Sequence, residues 1–170
     1  HCISSAASDV YKRQGIAVEV INGISSGLAA PASIGVPLTH RDWSQGAIFI
    51  TGHGKNAESN PDWATLAKLN LTLVIYMGIA RCAEIQSALL AGGKSGETPV
   101  AVIQSATGMA QAQLITTLSA LPQALAESGI GSPAIIVIGD VVHCASQATP
   151  AAIPVFTQTL RETVLAQLTA

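Results

Sequence analysis

The segment Gly23-Ile24-Ser25-Ser26-Gly27 is the first stretch whose residue types could support chemistry. It fits the pattern G-x-S-x-G, which in hydrolases places a nucleophilic serine on a sharp turn between a strand and a helix. The β-branched and apolar residues 16–21 predict that strand, and the small residues 24–33 predict a helix that Ser25 or Ser26 would cap. A serine hydrolase that uses Ser25 is therefore one hypothesis.

Such a hydrolase would also need an acid and a general base. Asp140 and His143 follow Ser25 in a suitable order, but they lie three residues apart at the end of one predicted strand. Catalytic acids and bases normally come from separate loops, and the sequence has no HGGG-type oxyanion loop. The alternative is that the two serines only cap a helix.

His40-Arg41-Asp42 has the residue types of a kinase catalytic loop. Ala47 stands where that loop needs a metal-binding Asn, and the sequence has no DFG motif, so we reject a kinase. Two alternatives remain open for the tripeptide. It could form an internal ion pair or contact a substrate, because a planar guanidinium suits both.

Two short motifs have simpler structural interpretations. Gly93-Lys94-Ser95 ends like a phosphate loop, but Ala88 replaces the first glycine of that motif, and a helix precedes the segment. We therefore predict a turn that ends the helix. His143-Cys144 is a metal pair by residue type only, and adjacent residues on a strand would point to opposite faces, so we predict no metal site.

The composition limits the class of protein. Of the 170 residues, 49% are hydrophobic and 11% are charged, whereas a soluble domain has roughly 25% charged residues. This imbalance predicts one domain whose surface is partly covered by another domain or subunit. The net charge of −2 argues against a nucleic-acid partner. No apolar run reaches the roughly 18–20 residues of a membrane span. Three widely spaced cysteines predict neither disulfides nor a zinc site, which favours a cytoplasmic location.

Alternating apolar and amphipathic segments predict an α/β domain with a largely parallel sheet. Besides 16–21, the predicted strands cover 47–52, 71–77, 99–104, 113–118 and 133–142. The predicted helices that follow cover about 61–68, 79–91, 119–128 and 152–168. Residues 1–14 have no starting Met, apolar period or cap, and we predict that they are a non-native, adaptor-like segment.

Ordered blocks from Gly15 to about Val142 resemble the tetrapyrrole methylase family, and within it the uroporphyrinogen-III C-methyltransferases. The most specific block is GVPLTHRD (35–42), where the family has G-I-P-L-T-H-R. The blocks, in chain order, are 20–43, 49–53, 62–78, 93–103 and 133–142. Asn22 and Trp43 depart from the family's usual Pro and Tyr.

The resemblance implies a fold and a division of the chain. Residues 38–145 would form the C-terminal α/β domain with a mixed sheet. Residues 15–37 would be the last strand and helix of an N-terminal domain, and residues 146–170 would form a C-terminal helix or tail. On this interpretation the chain is an N-terminally truncated fragment of a two-domain enzyme that works as a homodimer.

The resemblance also implies an activity for the whole enzyme. Methyl groups would pass from S-adenosylmethionine to uroporphyrinogen III, and the product, precorrin-2, would feed siroheme and cobalamin synthesis. The family's glycine-rich loop and proton-handling residues precede the part that this chain matches. We therefore expect no catalytic residue in this chain and no activity of the chain alone, and a non-catalytic interaction domain remains an alternative.

Residue roles follow from the family's blocks by position. Ser25 and Ser26 match the pair after the glycine turn that contacts S-adenosylmethionine, and Met77 matches the methionine that ends the Y-M-G strand. Ala106 falls where the family usually has a Gly beside the cofactor. Because the substrate carries many carboxylates, Arg41 and Arg81 are the candidates for substrate binding.

Overall fold

The fold of the chain is described by a computed structural model over residues 13–17, 19, 21–52 and 60–145. Its centre is a five-stranded sheet with the strand order β1-β2-β5-β3-β4. The strands are β1 (Ala47–Thr51), β2 (Thr72–Tyr76), β3 (Pro99–Gln104), β4 (Ala112–Thr117) and β5 (Ala134–Ile138). The helices are α1 (Ser26–Ser33), α2 (Trp63–Ala67), α3 (Cys82–Ala91) and α4 (Leu121–Ser128), with 3₁₀ turns at Ile79–Arg81 and Asp140–Cys144.

The sheet is mixed, as the family resemblance implies. β1 pairs parallel with β2, and the other three pairings, β2–β5, β5–β3 and β3–β4, are antiparallel. The prediction of a largely parallel sheet from alternating elements is therefore wrong. The reason is that β5, the last strand in the chain, inserts between β2 and β3, and the pattern within each segment carries no information about that choice.

Both faces of the three central strands are covered, which explains their continuous apolar runs. One face packs on α3 and α4 through buried residues that include Leu73, Ile75, Ile85, Leu89, Leu121 and Leu125. The other face, which includes Val74, Ala101 and Val137, packs on α1 and the segment after it through Ala30, Ile34 and Val36. Residues 26–36 thus share a core with the sheet, and their assignment to a separate N-terminal domain stays a prediction.

The strand predicted over 16–21 is wrong for the residues that can be described. Ile16, Ala17, Glu19 and Ile21 have no regular secondary structure. A strand needs a neighbour for its N–H and C=O groups, and no strand pairs with this segment in the described part of the chain. Residues 53–59 and the helix predicted over 152–168 lie outside the described residues.

The last strand is shorter than predicted. β5 ends at Ile138, and Gly139, with φ of 147°, adopts a backbone conformation that favours glycine. His143 and Cys144 therefore lie in a 3₁₀ turn, and their placement on a strand is a wrong prediction. Over the described ranges, no three His, Cys, Asp or Glu side chains come together as a metal site. None of the helices in those ranges has the length and apolar character needed to cross a membrane.

Candidate binding site

A cavity of about 530 Å³ opens at one end of the sheet. β2 and β3 end at this cavity, β5 begins there, and the first turn of α1 forms a side wall. The lining residues are Ile24, Ser26, Ala29, Tyr76, Met77, Ile103, Ser105, Ala106, Thr107, Ser132, Pro133, Ala134 and Ile135. The volume lies in the range typical of sites for small molecules and cofactors.

The lining is apolar with a few hydroxyl groups. Ile24, Met77 and Ala134 supply accessible apolar surface, and Ser26, Ser105 and Thr107 supply hydroxyls. No carboxylate, ammonium, guanidinium or imidazole group is present among the described lining residues. Such a cavity suits a ligand with a flat apolar part and several hydrogen-bonding groups, and it offers no ordinary general base.

Three of the four predicted cofactor contacts line this cavity. Ser26 comes from α1, Met77 follows β2, and Ala106 follows β3, so the fold brings together residues that are distant in the chain. Ser25, the fourth, lies in the same turn as Ser26, but its hydroxyl hydrogen-bonds to the Tyr76 hydroxyl at 2.5 Å. Ser25 is therefore not one of the lining residues but contacts one, Tyr76, which the sequence analysis did not single out.

Backbone strain is concentrated around the cavity. Met77, Ser105 and Thr107 have φ angles of 53°, 46° and 65°, and they are the described non-glycine residues with positive φ. All three line the cavity. Residues held in this region cost roughly 1–3 kcal/mol each and cluster at functional sites, because the surrounding structure must hold them there. The sequence contains no signal for this strain, since none of the three is a glycine or an asparagine.

The turn that carries Ala106 is held by its neighbours on both sides. The Ser105 N–H donates to the Pro133 carbonyl at 3.1 Å, which ties the end of β3 to the segment before β5. The Thr107 N–H donates to the Gln111 Oε1 at 2.6 Å, and the Gly108 N–H donates to the Ser105 carbonyl at 3.0 Å. These three hydrogen bonds, each donated by a backbone N–H group, hold the turn around Ala106 in place.

The arrangement around Ser25 does not resemble a nucleophile elbow. The strand that should precede the turn is missing from the described residues, and the partner of the Ser25 hydroxyl is a phenol. The His143 ring lies against Trp43, with ring centroids 6.0 Å apart. Ser25 therefore has no imidazole partner among the described residues to act as a base.

In the loop after α1, the side chains of His40 and Asp42 lie close together, and the Arg41 guanidinium takes no part in this contact. The His40 Nδ1 lies 3.9 Å from an Asp42 carboxylate oxygen and accepts a hydrogen bond from the Asp42 N–H. The His40 ring also stacks on Trp43 at 4.3 Å. Arg41 is exposed and pairs with no carboxylate in the described ranges, so its side chain is available for an anionic group.

Arg81, in contrast, is held by the protein itself. Its guanidinium contacts Glu84 at 2.6 Å and donates to the Asn60 Oδ1 at 2.9 Å. These contacts tie the start of α3 to Asn60. A role in substrate binding stays a prediction for Arg81 and requires this side chain to serve a structural contact at the same time.

The Gly93-Lys94-Ser95 segment forms the predicted turn at the end of α3. Gly93 has φ of 96°, and the Lys94 N–H donates back to the Leu89 carbonyl at 3.0 Å. The Lys94 ammonium is half-buried and donates to the Leu69 carbonyl at 3.4 Å. Burial lowers the pKa of Lys94, and the Asp140 carboxylate opposes part of that effect.

A family model for the tetrapyrrole (corrin/porphyrin) methylases matches residues 2–122. The chain belongs to this family. The matched range begins inside the segment 1–14, whose non-native origin stays a prediction. The match includes Ser26, Met77 and Ala106, the three predicted contacts that meet in the cavity.

Related proteins agree with this family assignment. The chain is 44% identical over 131 residues to the uroporphyrinogen-III C-methyltransferase of Pseudomonas aeruginosa, and the aligned region covers 77% of this chain and 53% of that protein. The chain is 42% identical over 133 residues to the siroheme synthase of Chromobacterium violaceum, and the aligned region covers 78% of this chain and 28% of that protein. The chain thus spans about a quarter to a half of the length of the curated relatives.

Solved structures support the same fold. A cobalt precorrin-4 methyltransferase has a TM-score of 0.70 and 26% identity, covering 79% of this chain and 57% of that one. The uroporphyrin-III C-methyltransferase of Thermus thermophilus, solved with S-adenosylhomocysteine, has a TM-score of 0.61 and 29% identity, covering 81% and 60%. The mixed sheet and its helices are therefore those of the methylase family.

Proposed function

We propose that this chain forms one wall of the S-adenosylmethionine site of a uroporphyrinogen-III C-methyltransferase. The whole protein would methylate uroporphyrinogen III to precorrin-2. The observation that carries the proposal is the cavity that joins Ser26, Met77 and Ala106 from three separate elements. These are the positions that the family's sequence blocks associate with the cofactor.

The residues present fit this cofactor. S-adenosylmethionine supplies an electrophilic methyl group when it is bound. In this chain, the exposed apolar side chains of Ile24 and Met77 would contact an adenine ring, and the hydroxyls of Ser26 and Thr107 would accept or donate hydrogen bonds. At the centre of the strained turn, Ala106 carries only a methyl group, which suits a close approach of the ligand.

The proposal assigns this chain to binding and orientation rather than to proton transfer. Methyl transfer is an in-line displacement in which positioning supplies much of the catalysis. The described lining has no ordinary general base, so the residue that removes a proton from the methylated ring would come from another part of the whole protein. We accordingly propose that the 170-residue chain alone does not turn over.

Exposed apolar side chains on α1, on β1 and beside the cavity support the view that another part of the protein covers this surface. Ile24, Leu28 and Met77 expose 82%, 48% and 63% of their surface, and Phe49 on the edge strand exposes 47%. Large exposed apolar patches usually mark an interface. We include in the proposal a second domain over this face, a homodimeric assembly, a cytoplasmic location, and a role for Arg41 and Arg81 toward substrate carboxylates.

Calorimetric titration of the chain with S-adenosylhomocysteine tests the cofactor site. We expect binding, and we expect Ser26→Phe, which places a ring in the cavity, to weaken it by more than about tenfold. Ser87→Phe is the matched control because Ser87 is exposed in the middle of α3, away from the cavity. No binding by the unmodified chain, or equal binding by both variants, would contradict the proposed site.

Two further measurements separate the alternatives. With uroporphyrinogen III and S-adenosylmethionine, we expect precorrin-2 from the full-length protein and none from this chain. Labelling of Ser25 by a fluorophosphonate would instead support a serine hydrolase. If neither cofactor binding nor labelling of Ser25 is observed, the remaining alternative is a non-catalytic interaction domain.

A further inference from the structure

Tyr76 makes contacts that connect two walls of the cavity. Its side chain leaves the end of β2 on the face that α1 covers, and its hydroxyl accepts a hydrogen bond from the Gly27 N–H at 3.0 Å. The same hydroxyl shares a hydrogen bond with the Ser25 Oγ at 2.5 Å. The phenol thus contacts the residues on both sides of Ser26.

These contacts replace the usual cap of the helix. Ser25 occupies the N-cap position of α1, but its side chain makes no hydrogen bond to the helix backbone. The first N–H groups of a helix have no intrahelical partner and need one from elsewhere. Here Tyr76, 49 residues away from Gly27 in the chain, supplies that partner. The position of the first turn therefore depends on β2.

The packing leaves the turn little freedom. A Cβ on Gly27 would overlap the Tyr76 hydroxyl and would lie 2.7 Å from the Tyr76 Cζ. The Phe49 ring lies beside Tyr76, with centroids 6.5 Å apart, and supports the phenol from the neighbouring strand. Met77, the next residue after Tyr76, has φ of 53° and faces the cavity.

We propose that Tyr76 is a positioning residue whose hydroxyl holds the first turn of α1 against the end of β2. It would thereby set Ser26 and Met77 on opposite sides of one ligand. The inference rests on the proposed function, because it concerns the geometry of the same cofactor site. Tyr76 would take no part in the reaction itself. It would act through its hydrogen bonds to Ser25 and Gly27 and through its neighbour in the chain, Met77.

Tyr76→Phe tests the inference because it removes only the hydroxyl and keeps the ring beside Phe49. We expect the affinity of the chain for S-adenosylhomocysteine to fall about 5- to 20-fold, the effect of one or two lost hydrogen bonds. We also expect faster hydrogen exchange of the Gly27 amide by NMR. Thr117→Val, which removes a hydroxyl at the opposite end of the sheet, should change neither value.

Ser25→Ala provides the second variant, since it leaves the bond between Gly27 and Tyr76 in place. We expect its affinity to lie between those of the unmodified chain and Tyr76→Phe. An affinity as low as that of Tyr76→Phe would assign the whole effect to Ser25 and would overturn the role of the Gly27 contact.

The outcomes distinguish this inference from the proposed function. If the unmodified chain binds and Tyr76→Phe binds equally well, the positioning role is wrong while the cofactor site stands. A lower melting temperature with unchanged affinity has the same meaning, because a purely structural residue would give that result. If the unmodified chain does not bind, the proposed site fails, and the positioning role fails with it.

Discussion

Ser44 and Thr72, 28 residues apart in the chain, share a buried hydrogen-bond network. The Ser44 Oγ accepts from the Thr72 N–H at 3.0 Å and from the Thr72 Oγ1 at 3.1 Å, and it donates to the Gly46 carbonyl at 2.9 Å. The two residues are 4% and 0% exposed. This network anchors the loop that carries His40, Arg41 and Asp42 to the start of β2.

Ser44→Ala should therefore destabilise the fold. The substitution leaves the buried Thr72 hydroxyl without its acceptor, so we expect the free energy of unfolding to fall by about 1–3 kcal/mol. Urea denaturation measures this change. Ser44→Ala combined with Thr72→Val removes both partners and should lose less than the sum of the single variants. A strictly additive result would contradict the network.

Gly27→Ala should destabilise the junction of α1 and β2. The added methyl group would overlap the Tyr76 hydroxyl, and relieving an overlap of this kind costs typically 1–3 kcal/mol. Gly23→Ala is the matched control, because nothing lies within 4 Å of a Cβ at that position. Thermal unfolding should separate the two variants, and equal melting temperatures would show that the contact is not close.

The stability of the chain should rise with pH through Lys94. Burial lowers the pKa of Lys94 in the folded state below its ordinary value of 10.5. Between the two pKa values the unfolded chain binds more protons, so the free energy of unfolding increases with pH in that window. We expect the free energy of unfolding of the unmodified chain to rise relative to that of Lys94→Met as the pH approaches 10.5.

Asp140 offers a control for the pH effect. Its carboxylate raises the pKa of Lys94 and so opposes the effect of burial. In Asp140→Asn the rise in stability should begin at lower pH. Urea denaturation at several pH values gives both curves, and a difference between the unmodified chain and Lys94→Met that does not change with pH would refute the assignment.

Arg41 and Arg81 should respond differently to substitution in the full-length protein. Arg41 is exposed and has no ion-pair partner among the described residues, whereas Arg81 contacts Glu84 and Asn60. We expect Arg41→Gln to raise KM for uroporphyrinogen III without lowering the melting temperature. Arg81→Gln should lower the melting temperature. Steady-state kinetics and thermal unfolding test this, and a lower melting temperature for Arg41→Gln with no change for Arg81→Gln would show that Arg41, not Arg81, serves the structural contact.

Much of the secondary structure follows from local patterns. The unbroken apolar run at 71–77 predicts a strand that is buried on both faces, and β2 has that character. The strand predicted over 99–104 is β3. Asp62 precedes α2 and accepts a hydrogen bond from the Thr65 N–H, as expected for a capping residue. These features depend on residues that are close in the chain, so the sequence predicts them correctly.

Other features depend on contacts between distant segments. The insertion of β5 between β2 and β3 makes the sheet mixed. The described residues of the segment 16–21 have no partner strand in the described part of the chain and form no strand themselves. The sequence alone identifies the family blocks and names Ser26, Met77 and Ala106. Only the tertiary structure decides that these three line one cavity, that strained backbone surrounds them, and that Tyr76 holds the turn. Periodicity reports burial along one segment, whereas strand order and cavity shape arise from packing between segments.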